Sequence, residues 1–168
     1  MSSTEAKSAY IAGPFGERGR LRAEREKVRR YLPGTKCSWM DWPEYPIPNP
    51  GPHKLYQEAV RDFREIDEAD LVIVDETTDT VRKGTYVELG YALAKGKVVW
   101  LVGRRGRGSL AVATPFHMLV TKWIQDWDDV VYWLSQLGGT DDETHEGDPG
   151  FVGGRPTGLG PGSWVPVD

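Results

Sequence analysis

Two carboxylates, Glu88 and Asp62, stand where chemistry on a small polar substrate is expected. Leu71-Val72-Ile73-Val74 is a continuous aliphatic run, the pattern of a central parallel strand. Asp75 and Glu76 end it, a polar loop follows, and Gly84-Thr85 opens a helix that carries Glu88, Leu89, Gly90 and Ala92. This reading puts Glu88 in the first turn of a helix beyond the carboxyl end of a strand, the edge where open α/β sheets bind ligands. Asp62 falls on the preceding helix, one turn after Glu58 and nearer the apolar positions than Arg61, Arg64 and Glu65, which read as a solvated face. Two carboxylates converging on one pocket acquire separated pKa values, so one can be ionised while the other holds a proton. A plainer role for Glu88 stands beside this: an acid that favours the positive end of a helix dipole.

Two further groupings could bind a ligand. Gly13-Pro14-Phe15-Gly16-Glu17-Arg18-Gly19-Arg20 combines glycines, two arginines and a helix start, the elements of a phosphate cradle. It matches neither the dinucleotide fingerprint nor the P-loop, and it reads equally well as a strand-to-helix turn. Trp39, Trp42 and Tyr45 could stack on a planar ring, against the alternative that they pack a proline-rich loop onto the core. His117 reads as a core histidine. Three scattered histidines and one cysteine make no metal site, no Ser-His-Asp spacing stands out, and no cofactor is expected.

The elements that must position these residues alternate along the chain. Ala9–Ala12 reads as a strand, Glu17–Leu32 as a helix with Leu21, Val28, Tyr31 and Leu32 inward, and Thr35–Trp39 as a second strand. Residues 40–52, dense in proline and aromatics, read as a stiff loop forming a lid or pocket wall. His53–Ala69 is a helix with Leu55, Ala59, Phe63 and Ile66 apolar. After the strand at 71–74 and the helix at 84–95 come a strand at 98–102, a basic loop at 103–109, a fifth strand starting at Met118–Val120 and a closing helix at Trp127–Leu137. Alternation predicts a single flavodoxin-like (Rossmann-like) α/β domain over 1–137. Its five-stranded, mainly parallel sheet would carry helices on both faces. The switch point would lie between the first and third strands, which brings Gly13–Gly16 beside the loop before Glu88. Residues 138–168, rich in Gly, Pro and acids, read as a tail without its own core.

Composition narrows the functional classes. The chain has 168 residues, 39% hydrophobic and 27% charged, with a net charge of −4 and no large basic block, which argues against a nucleic-acid polymer as partner. A single cysteine, Cys37, rules out an internal disulfide and fits a cytoplasmic setting. No run predicts a membrane span, and the first ten residues lack the apolar core of a signal peptide.

Tyr10–Phe15 (YIAGPF), Asp62, Glu68–Asp75 (EADLVIVD) and Gly84–Val99 (GTYVELGYALAKGKVV) resemble the nucleoside 2-deoxyribosyltransferase family. The resemblance covers residues 9–137 apart from much of the 40–52 loop. It implies glycosyl transfer at C1′ of a 2′-deoxynucleoside, with a free nucleobase as second substrate. Glu88 matches the family's nucleophile, Asp62 its acid near the leaving base, and Tyr10 the tyrosine whose hydroxyl orients the glutamate. Gly13 would let the backbone approach the substrate. Pro14, Phe15, Arg18, Arg20, Trp39, Trp42, Gly84 and Thr85 are the remaining expected substrate-binding positions. A related branch hydrolyses deoxynucleoside 5′-monophosphates; Pro14 stands where its serine would fall, which favours the nucleoside. Arg82 and Lys83 stand where many members carry a further acid. A homo-oligomer is also implied. From other classes come a non-catalytic nucleotide-binding module and a tail that serves as an interaction arm.

Overall fold

The computed structural model describes residues 6–42, 51–79, 83–103 and 115–137. Among these residues the sheet has four parallel strands in the order β1 (Ala9–Ala12), β2 (Leu71–Asp75), β3 (Val98–Val102) and β4 (Lys122–Ile124). The register pairs Ile11 with Ile73 and Ile73 with Trp100. Every residue of β1 and β2 is buried, as the aliphatic runs require of strands covered on both faces. Helices α1 (Arg18–Arg29) and α4 (Trp127–Leu137) pack together, as do α2 (Pro52–Glu68) and α3 (Lys83–Ala94), giving an α/β fold with helices on both faces. Because β1 and β2 are neighbours, the loop after β1 and the start of α3 meet at one sheet edge.

Several local expectations change. Thr35–Trp39 does not pair as a strand. Cys37 takes a left-handed backbone conformation (φ 56°), and Ser38–Asp41 forms a 3-10 turn. The free edge of β1 is instead satisfied by side chains of this strap. The Ala9 N–H donates to Thr35 Oγ1 at 3.1 Å, the Ile11 N–H donates to Cys37 Sγ at 3.0 Å, and Trp39 Nε1–H donates to the Ile11 carbonyl at 2.9 Å. The strand expected to start at Met118–Val120 is a 3-10 turn over Pro115–Leu119, with β4 following it. Tyr31 is exposed, and Arg25 takes its place on the inner stripe with Leu21, Val28 and Leu32. On α2, Leu55 and Ala59 face solvent whereas Glu58 and Ile66 are buried, so this helix turns acids inward. Residues 43–50, most of the basic loop and the 138–168 tail lie outside the described residues.

Candidate active site

A cleft of about 260 Å³ opens at the carboxyl ends of β1 and β2. The loop after β1 supplies Gly13, Pro14 and Phe15; the strap supplies Trp39 and Trp42. Asp62 reaches in from α2, and Lys83, Gly84, Thr85 and Glu88 from α3. A Cβ at Gly13 would lie 2.4 Å from Leu21 Cδ1, so a side chain there would displace the buried Leu21, and glycine lets this loop pass close over α1.

Glu88 stands in the second turn of α3 rather than the first, because the helix already begins at Lys83. Tyr10 is fully buried on β1, and its hydroxyl donates to Glu88 Oε1 at 2.6 Å. A donor held at that distance stabilises charge on the carboxylate and fixes its orientation. Burial is the largest influence on Glu88 and pushes its pKa up to about 8. The Tyr10 hydrogen bond opposes the rise, and the nearby Asp62 charge adds to it. Burial, followed by the Glu88 and Asp62 charges, raises the Tyr10 hydroxyl well above its ordinary value, so it remains a donor.

Asp62 differs in having no such support. Its Oδ1 is buried without a hydrogen-bond partner. Burial, then the charges of Glu65 and Glu58, raise Asp62 to about 7, with Arg61 opposing. Both carboxyls are raised, Glu88 the further, so the pair retains a proton near neutral pH; the Tyr10 hydrogen bond is the contact that favours charge on Glu88. Thr85 Oγ1 is a second buried atom with no partner beside the same cleft. Both are unmet hydrogen-bonding sites that a polar ligand would satisfy.

The aromatic side of the cleft is built by Phe15, Trp39 and Trp42. The Phe15 ring lies 6.5 Å from that of Trp39 and 6.2 Å from that of Trp42, and Arg18 covers Phe15 at 4.4 Å. Arg18 also donates to the Phe15 carbonyl. Arg20 does not line the cleft. Its Nη2 pairs with Asp75 Oδ2 at 2.6 Å and its Nε with Glu17 at 3.1 Å. Asp75 is fully buried and also accepts from Trp127 Nε1 and Thr77 Oγ1, so Arg20 belongs to a network joining α1, β2 and α4. His117 is buried outside the cleft with Nε2 2.8 Å from Glu76. Among the described residues, no cluster of side chains could hold a metal ion, and no helix is long and apolar enough to cross a membrane.

Residues 9–120 match the family model described as nucleoside 2-deoxyribosyltransferase. The chain belongs to the nucleoside 2-deoxyribosyltransferase family. It is therefore an enzyme acting on N-glycosidic bonds. Among solved structures, it resembles a conserved protein from Enterococcus faecalis V583 at 17% identity (TM-score 0.59, 78% of this chain and 98% of that one). It also resembles a 2-deoxyribosyltransferase from Bacillus psychrosaccharolyticus at 20% identity (TM-score 0.58, 77% and 95%). A CMP N-glycosidase from Clostridium botulinum aligns at 17% identity (TM-score 0.47, 77% and 99%). At these identities the first two likenesses establish the fold. No curated protein matches the chain by sequence.

Two features of this family member escaped the sequence reading. Lys83 puts a cation on the cleft, at a point the sequence marked only by the loss of an acid. Arg25 is buried, and its place on the Leu21–Val28–Leu32 stripe was the available signal.

Proposed function

We propose that the enzyme cleaves the N-glycosidic bond of a 2′-deoxynucleoside and transfers the deoxyribosyl group to a second nucleobase through a sugar ester on Glu88. The observation that carries this reading is the 2.6 Å hydrogen bond from Tyr10 to Glu88, beside an Asp62 carboxyl that lacks a donor. Glu88 attacks C1′ as the bond to the base breaks, the bonding electron pair leaves with the base nitrogen, and Asp62 delivers its proton there. The Tyr10 hydroxyl holds the attacking oxygen in line. A second base then attacks C1′, its proton returns to Asp62, and Glu88 is released as carboxylate. The ring of the departing base lies against Phe15, Trp39 and Trp42, and Thr85 offers its free hydroxyl to the sugar.

Hydrolysis of a deoxynucleoside 5′-monophosphate is the second reading. Lys83 favours it, since a cation beside the start of α3 would suit a phosphate. The pairing of Arg20 with Asp75 and Glu17 supports the nucleoside, because it removes one of the two arginines expected to meet a phosphate. Incubation with a panel of deoxynucleosides and their monophosphates, each with and without a second free base, separates the cases. Base exchange on nucleosides is the expected result. Base release from monophosphates alone would establish the hydrolase, and saturable binding without product would establish a binding module.

A further inference from the structure

We infer that Arg25 is a positioning residue for the base-binding side of the cleft: through Asp41 and the backbone of the strap, it fixes where Trp39 and Trp42 stand. The inference rests on the reading that these rings receive a nucleobase. It begins from the missing strand. Residues 35–42 run beside β1 without a ladder, so their own carbonyls need other donors. Three arginines along one side of α1 supply them. Arg29 donates to the Thr35 and Lys36 carbonyls at 2.9 and 3.2 Å, Arg25 to the Cys37 carbonyl at 3.2 Å, and Arg22 to the Met40 carbonyl at 2.6 Å. From the other side, α2 contributes Glu65, which accepts from the Ser38 N–H at 2.8 Å.

Arg25 differs from its two neighbours. Its side chain is only 7% exposed, whereas those of Arg22 and Arg29 are 43% and 36% exposed. It grips Asp41 with both arms, Nη1 to Oδ2 at 2.7 Å and Nη2 to Oδ1 at 3.0 Å. The hydrogen bonds from Arg25 hold the Asp41 carboxyl below its ordinary range. Asp41 directly precedes Trp42, and the left-handed turn at Cys37 lies two residues before Trp39. A planar two-pronged guanidinium is the side chain that can hold both the turn carbonyl and the carboxylate at fixed angles. The strap is thus a wall pinned from behind, and the pin is a buried charge that does not touch the cleft.

The test uses Arg25→Met and Asp41→Asn in the full chain labelled with fluorotryptophan, with resonances assigned through Trp→Phe variants. The Trp39 and Trp42 signals should shift or broaden while those of Trp100 and Trp127 stay in place. In steady-state assays KM for the deoxynucleoside should rise by about tenfold with kcat within about twofold, the signature of lost ground-state binding. Asp41→Asn changes a side chain that is 56% exposed, leaves the Arg25 side chain in place with an amide still able to accept from it, and carries the test if Arg25→Met does not fold. Unmoved Trp39 and Trp42 signals, or an unchanged KM in the active enzyme, would overturn the inference. The fluorine spectra decide even for a wild-type enzyme that turns over no nucleoside, so failure of the functional reading is seen separately.

Discussion

Replacing Asp62 by Asn should stabilise the protein, and the gain should depend on pH. In the folded chain Asp62 is raised from 3.8 to about 7, chiefly by burial. A carboxyl with a raised folded value binds its proton more tightly in the folded state than in the unfolded one. Its unfavourable ionisation therefore costs nothing below pH ~4 and grows until the pH passes about 7. The full difference corresponds to about 4 kcal/mol. Solvent relaxation around a partly exposed carboxyl reduces this to about 1–2 kcal/mol. The amide of the variant would resemble the protonated acid in shape and add little new penalty, since Oδ1 already lacks a partner. For a chain of this size the gain translates to roughly 2–8 °C in Tm. Thermal unfolding of both proteins should give nearly equal Tm values near pH 4 and a gap that opens up to pH 8, with the variant higher. A gap that stays constant with pH, or a variant less stable at pH 8, would refute the assignment of Asp62 as an unsupported, proton-holding carboxyl. The same variant should lose activity most on bases that leave poorly without a proton.

Tyr10→Phe keeps the buried ring and removes the donor to Glu88, so kcat should fall by roughly tenfold to a hundredfold with little change in KM; steady-state kinetics check this. Arg20→Ala leaves Asp75 buried without its cation and should cost about 1–3 kcal/mol in urea unfolding, discounted for the exposure of Arg20. A stable Arg20→Ala variant with a raised KM for a monophosphate would return Arg20 to the substrate. The chain should self-associate, because Tyr132, Trp133 and Leu137 of α4 are exposed, as are Val87, Phe116 and Leu119 elsewhere on the surface. Light scattering at micromolar concentration should give at least a dimer, and a monomer would contradict this.

The sheet was legible because β2 and β3 are apolar runs, broken in character only by Trp100 and the terminal Asp75, and the place of Glu88 at the carboxyl edge follows from where β2 ends. The strap was not legible. Lys36-Cys37-Ser38-Trp39 alternates in the manner of a strand, and only tertiary contacts decide that β1 is met by side chains while the arginines of α1 take the strap's carbonyls. The face of α2 misled for a related reason. Its apolar residues suggest that Leu55 and Ala59 point inward, yet Glu58 is buried, Asp62 lines the cleft, and Leu55 and Ala59 are exposed. Arg20 looked like a phosphate ligand from its neighbours in sequence; its partner Asp75 is 55 residues away.

The proposed reaction passes through a covalent sugar on Glu88. Rapid quenching of the enzyme with a 2′-deoxynucleoside, followed by peptide mass spectrometry, should find one deoxyribosyl group on the peptide containing Glu88. The adduct should disappear on chase with a second base and be absent in Glu88→Gln, whose turnover should fall by several powers of ten. Turnover in Glu88→Gln equal to that of the wild type, or an adduct on a different residue, would contradict the account.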